Sequence, residues 1–183
     1  MERAKARYTI LGISDGLFVG IGLSLGISFF HAYSLTFASI LLGGLTNALS
    51  NMFATYNAET FSTGQQLLEY KEILFLKDYN PIKLKKSKQE KSIRYATQSF
   101  VFTLVGSLIV LAPYIAFYFM GSAGIEPASI TSLTMTLIIL GFIGAYHQEH
   151  LHEKLKNGFK TIGIGATIAL LSAIVGFLVS YLI

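Results

Sequence analysis

From residue 16 to residue 58 the chain reads GLFVGIGLSLGISFFHAYSLTFASILLGGLTNALSNMFATYNA, with no Asp, Glu, Lys or Arg in it. A helix needs about 20 predominantly apolar residues to cross the roughly 30 Å hydrocarbon core of a bilayer, so this stretch is long enough to cross twice. The polar break His31-Ala32-Tyr33-Ser34 divides it and predicts spans over 9–29 and 35–57, the first holding one acid, Asp15. Three more charge-free runs, 95–125, 127–148 and 161–183, have room for one span each, over 97–119, 129–146 and 161–182. The expectation is an all-α polytopic membrane protein with five transmembrane helices, a single membrane domain over 1–183.

Composition points the same way: 13% of the 183 residues are charged, where a soluble domain carries about 25%. The 14 Lys and Arg exceed the 10 Asp and Glu, a net charge of +4 that would suit a nucleic-acid binder if one surface carried it. Instead all 14 lie in three stretches, Arg3 to Arg7, Lys71 to Arg94 and Lys154 to Lys160. Lys and Arg collect in short cytoplasmic loops, and five spans with the amino terminus inside put all three clusters on that side. The outer side then receives His31 to Ser34, Gly121 to Ala128 with its lone Glu126, and the carboxyl end. Nucleic acid is thereby excluded as a partner, and the bilayer takes its place. A cleaved signal peptide is not expected, because the first apolar stretch is too long and an acid interrupts it.

Residues 58–95 form the one sizeable water-exposed segment, a cytoplasmic helical insertion between the second and third spans that divides at Asn80-Pro81. In its first half Leu67, Leu68, Leu74 and Phe75 repeat at helical spacing, with Gln65, Glu69 and Glu72 on another face. In its second half Lys83, Lys85, Lys86, Lys88, Lys91 and Arg94 stand against Glu90 alone, a basic segment suited to anionic headgroups. The first span carries Gly12, Gly16 and Gly20 at four-residue intervals, which lets a second helix backbone approach closely. Pro113 removes a backbone hydrogen bond from the third span and predicts a kink.

Asp15 is the sharpest chemical feature. An acid at that depth costs about 2.5–3.5 kcal/mol on insertion scales and needs a partner, a proton, a cation or water. It is either an ion-path residue or a protonated acid bonded to a neighbouring helix. Asn47, Asn51, Thr55 and Glu59 recur every four residues, one polar stripe along the second helix with Met52 beside it. Oxygen ligands with one thioether and an acid at the mouth suit a partly dehydrated divalent cation, and the same residues also suit interhelical hydrogen bonding. At the end of the fourth span His147, His150 and Glu153 are successive i, i+3 neighbours, a metal-loading site or a hydrated juxtamembrane helix. Membrane di-iron enzymes need about eight histidines, and this chain has four. Without cysteine there is no disulfide, thiolate ligand or cysteine nucleophile. No phosphate-cradling loop or nucleophile elbow is present, so no enzyme is expected.

Gly12-Ile13-Ser14-Asp15-Gly16-Leu17 with Gly20 and Gly22, Gly44-Leu45-Thr46-Asn47-Ala48-Leu49-Ser50, Ser99-Phe100 with Gly106 and Pro113-Tyr114, and Gly141 with Gly163, Gly165, Ala166, Ser172 and Gly176 together resemble the vacuolar iron transporter family. The resemblance implies five helices, an inside amino terminus and a homodimer with the ion path between subunits, exchanging protons for ferrous or similar divalent ions. It places Asp15 on that path. Two departures stand out: Asn47 and Asn51 lie where the family usually has an acid before a Ser-Met pair, and the cytoplasmic segment is short, lysine-rich and without Met.

The expected function is a homodimeric transporter that exports or sequesters a divalent metal, ferrous iron or manganese, in exchange for protons, with no permanently bound cofactor. Asp15 would bind the cation and carry the proton; Asn47, Asn51, Met52 and Thr55 would line the route, with Glu59 at the mouth. Glu69, Glu72, His147, His150 and Glu153 would be auxiliary ligands. The alternative is a non-transporting assembly or regulatory protein of the same helical fold.

Overall fold

The computed structural model describes residues 2–74, 81–121, 124–146 and 150–182, with side chains over 6–62, Gln65, 89–121, 124–146 and 150–182. Five α-helices, and no strand, make up the described residues: α1 (Glu2–Ser28), α2 (Tyr33–Leu74), α3 (Pro81–Phe119), α4 (Ile125–Tyr146) and α5 (Leu151–Leu182). Each contains a segment long and apolar enough to cross a membrane. Their number matches the five spans read from the charge-free runs, because an apolar run of this length satisfies its backbone in lipid only by closing its own hydrogen bonds.

The helices are longer than the spans. At about 1.5 Å per residue the 42 residues of α2 and the 39 of α3 each extend roughly 60 Å, about twice the hydrocarbon thickness. The charged stretches 59–74 and 81–94 belong to these same helices. The basic stretch is thus helical from Pro81, at the first helical position, where proline's missing N–H costs nothing. Helix α3 runs unbroken through buried Pro113. Helix α4 starts at Ile125, four residues before the expected span. Glu126 and Pro127, read from sequence as loop, form its first turn, where an acid meets the positive end of the helix dipole. The α1–α2 connection ends in His31 at φ 50°, a left-handed terminator that accepts a non-glycine residue, with Phe30 and His31 closing the last turn onto Ile27 and Ser28 carbonyls.

Helix α1 is the centre of the bundle and packs against all four other helices. Its glycines meet α3 at backbone distance. A Cβ on Gly16 would lie 2.1 Å from the Thr103 carbonyl oxygen, and one on Gly106 would lie 2.4 Å from that of Ile13. Gly26 and Gly176 make a similar seam between α1 and α5. Two apolar clusters fill the bundle, Ile40, Leu111, Tyr114, Ile125 and Ala128 in one and Leu17, Val110 and Leu140 in the other. Between them the interior is rich in hydroxyls: Ser24, Thr36, Thr103, Ser107, Ser129, Ser132 and Thr136 are all buried. Large apolar side chains such as Leu42, Phe53, Phe142 and Leu170 face outward, the reverse of a soluble protein.

Candidate functional site

Helices α1 and α2 are antiparallel neighbours, and their polar faces meet. Asn51 Nδ2 donates to Asp15 Oδ2 at 3.0 Å, and Asn47 Nδ2, one turn away, donates to the Asp15 backbone carbonyl at 3.3 Å. The same Asn51 amino group donates to Thr103 Oγ1 on α3 at 3.1 Å. Thr103 gives its own hydrogen to the Ser99 carbonyl at 2.8 Å, and Ser107 Oγ donates to the Gly16 carbonyl at 3.3 Å. The glycine seam makes this possible: with no side chain at Gly16 or Gly106, α3 sits near enough to α1 for one asparagine to reach both. Asp15 is half-buried, so its carboxylate is held on one oxygen without being sealed in.

Two turns towards the amino terminus, Tyr8 donates its hydroxyl hydrogen to Glu59 Oε1. The Tyr8 ring stacks on Tyr95 with centroids 5.3 Å apart, and the Arg7 guanidinium lies 5.9 Å from the Tyr8 ring centroid. Gln98 Nε2 donates to Thr9 Oγ1 at 2.7 Å in the same layer. Asp15 and Tyr8 are seven residues apart, so the Glu59 layer lies about 10 Å along α1 from the Asp15 layer. Thr55, between Asn51 and Glu59 on α2, is buried. Met52 lies one residue round the helix, 36% exposed on the outward side with Leu45 and Leu49.

Asn47 and Asn51 are thus brought to Asp15, whereas Glu59 belongs to a separate layer. Among the described residues no three His, Cys, Asp or Glu side chains are grouped so as to hold a metal. His150 precedes α5 and Glu153 lies in its first turn, both exposed. His147, and the side chains of Glu69 and Glu72, lie outside the described residues.

Sequence reading missed Thr103, Tyr8 and a second polar node. Ser99, Thr103 and Ser107 recur every four residues on α3, the same signal as the α2 stripe. The second node joins Ser24 of α1, Tyr114 of α3 and Ser129 of α4, with Tyr114 Oη 2.6 Å from Ser24 Oγ and 2.9 Å from Ser129 Oγ. Tyr33 donates to the Tyr114 backbone carbonyl. A cavity of about 770 Å³ nearby is lined by Tyr33, Ser34, Phe37, Ile115, Tyr118, Phe119 and Gly121. Its described lining holds no acid, amide or imidazole and offers a divalent cation little.

The Asp15 layer is oxygen-rich: one carboxylate, two carboxamides, and Ser and Thr hydroxyls. Because the asparagine amino groups face Asp15, their carbonyl oxygens are turned elsewhere as further acceptors. Hard oxygen ligands of this kind suit divalent cations that keep part of their hydration.

The sequence model of the VIT (vacuolar iron transporter) family matches residues 56–177, more than half of the chain. The match takes in Glu59 and most of α3 to α5, and it begins after Asp15, Asn47 and Asn51. An uncharacterized protein of Methanocaldococcus jannaschii is 25% identical over 169 residues, covering 90% of this chain and 85% of the relative.

Proposed function

This chain belongs to the VIT family, and from that premise we propose that it carries a divalent cation, ferrous iron or manganese, across a membrane in exchange for protons. The family is one of membrane metal-ion transporters, and the five apolar helices make the chain an integral multi-pass membrane protein. The single observation that carries the finer reading is the Asp15 carboxylate, held in mid-span by Asn51 on one oxygen. An intramembrane acid by default marks an ion or proton path.

In this reading the amino terminus and the three basic clusters face the cytoplasm, and the cation leaves that side. Glu59 stands at the mouth, bonded to Tyr8. Thr55, Asn51 and Asn47 line the way to Asp15, which binds the cation and takes a proton when the cation departs. The unit is taken as the homodimer that the family resemblance implies, in which a second copy would bring Met52, outward-facing in the single chain, to a path between subunits. Glu69, Glu72, His147, His150 and Glu153 serve as auxiliary ligands.

A second reading, a non-transporting assembly or regulatory protein, is favoured by the same Asn51 contact. That contact satisfies Asp15 within one chain, and Asn replaces a second acid. Manganese uptake by proteoliposomes separates the two: wild-type uptake that Asp15→Asn abolishes supports transport, and equal uptake by both removes Asp15 from the mechanism.

A further inference from the structure

Thr103 has no exposed surface and makes two hydrogen bonds in opposite senses. Its hydroxyl hydrogen goes to the Ser99 carbonyl at 2.8 Å. A hydroxyl carries one hydrogen, so towards Asn51 its oxygen acts only as an acceptor, 3.1 Å from Nδ2. This decides which end of the Asn51 carboxamide meets Asp15. The oxygen and nitrogen ends are nearly the same size, and the hydrogen-bond network assigns them. Only the amino end, with two hydrogens, can serve Thr103 Oγ1 and Asp15 Oδ2 together. With the amide turned over, its oxygen would face a hydroxyl already committed to Ser99 and a carboxylate oxygen, two acceptors with nothing to give.

We propose that Thr103 is a positioning residue for the ion site: acting through Asn51, it keeps the Asp15 carboxylate tethered by one oxygen and its other oxygen presented to the cation. This rests on the transport reading above. Thr103 is bonded to Asn51 and reaches the Asp15 carboxylate through it. Its contribution is orientation, made in advance so that the cation need not organise its own ligand. The tight α1–α3 seam supports this, since the Thr103 carbonyl lies where a Gly16 side chain would stand, which brings Thr103 beside the α1 turn that carries Asp15.

The test compares wild type, Thr103→Val and Thr103→Ser in proteoliposomes, with manganese uptake measured across a range of concentrations at one pH. Valine keeps the shape and removes the acceptor; serine keeps the acceptor. The expected result for Thr103→Val is a KM raised about 2- to 12-fold, the worth of one hydrogen bond, with a maximal rate within about twofold of wild type. Thr103→Ser is expected to keep the wild-type KM. A Thr103→Val KM that is unchanged or lowered overturns the proposal. That includes a variant in which only the maximal rate falls, the signature of lost folded protein. A serine variant as impaired as the valine one also overturns it. Wild-type vesicles that take up neither manganese nor ferrous iron would instead sink the transport reading. Equilibrium manganese binding to the purified protein then decides for Thr103: equal affinity of wild type and Thr103→Val overturns the proposal, and weaker binding by Thr103→Val upholds it.

Discussion

Tyr8 of α1 holds Glu59 of α2 by a hydroxyl-to-carboxylate hydrogen bond, about 10 Å along the helix from the point where Asn51 holds Asp15. Each acid between these two helices is thus met by a donor from the opposite helix. In Tyr8→Phe the ring stays stacked on Tyr95 and only the hydroxyl is lost. If Glu59 meets the incoming cation, freeing it lowers the KM for manganese by about tenfold or more, since a hydrogen bond to a charged group is worth about 1.5–3 kcal/mol. Uptake curves for the two proteins check this, and superimposable curves would remove Glu59 from the route.

Asp15→Asn tests the central acid without disturbing the packing around it. An asparagine at 15 has the same shape, and its carbonyl oxygen still accepts from Asn51 Nδ2. The variant should elute as wild type in detergent and melt at a similar temperature, while manganese uptake falls at least about tenfold, the cost of losing about 1.4 kcal/mol of binding or barrier stabilisation. Aggregation of the variant would show that the carboxylate serves the fold.

The glycines separate into two kinds. A methyl at Gly16 meets the Thr103 carbonyl at 2.1 Å, backbone against backbone, so Gly16→Ala must push α1 from α3. Overpacking of this sort costs about 1–3 kcal/mol, and here it also pulls Asn51 from one of its two acceptors. Gly163 on α5 has nothing within 4 Å of an added Cβ. Gly163→Ala should therefore be neutral or stabilising by about 0.5–1 kcal/mol through helix propensity. Thermal unfolding in detergent reads both, and a Gly16→Ala protein as stable as wild type would contradict the seam.

Water should reach the α2 stripe if it lines a route. The chain has no cysteine to remove, so single cysteines at 47, 51 and 55 can be labelled directly, with Phe142→Cys on the outward face of α4 as a lipid-facing control. The expected outcome is reaction with a water-soluble maleimide at 51 and 55, slowed by manganese, and none at 142. Closure of all three stripe positions with and without metal would favour the non-transporting reading.

The five helices were legible because lipid leaves charge-free runs of about 20 residues few alternatives. Their extensions were less so. Hydropathy reports only the apolar part of a helix, and the lysines after Pro81 and at the start of α5 are good helix formers that carry no apolar signal. Glu126 and Pro127 resemble a loop until they are placed in a first helical turn. Asn47 and Asn51 stood out as one face because helical spacing is local. That Thr103 completes the Asp15 layer was not legible, because the contact joins residues 52 positions apart on two helices. The four-residue repeat of Ser99, Thr103 and Ser107 was available, but hydroxyls bonded back to their own helix produce the same pattern. Tyr8 escaped notice at the edge of a span, and Ser24, Tyr114 and Ser129 share no periodicity at all.

The central place of α1 has a consequence for how the protein is made. Chains are synthesised from the amino terminus, so α1 emerges from the ribosome before the other four helices and enters the bilayer while α3, α4 and α5 do not yet exist. Its glycines then face lipid and its acid has no partner. Asn51 becomes available only when α2 has been translated, and Thr103 only after some fifty further residues. The newborn helix therefore depends on something other than its final neighbours, a proton on Asp15 or the shelter of the insertion machinery, until the third helix arrives and closes around it.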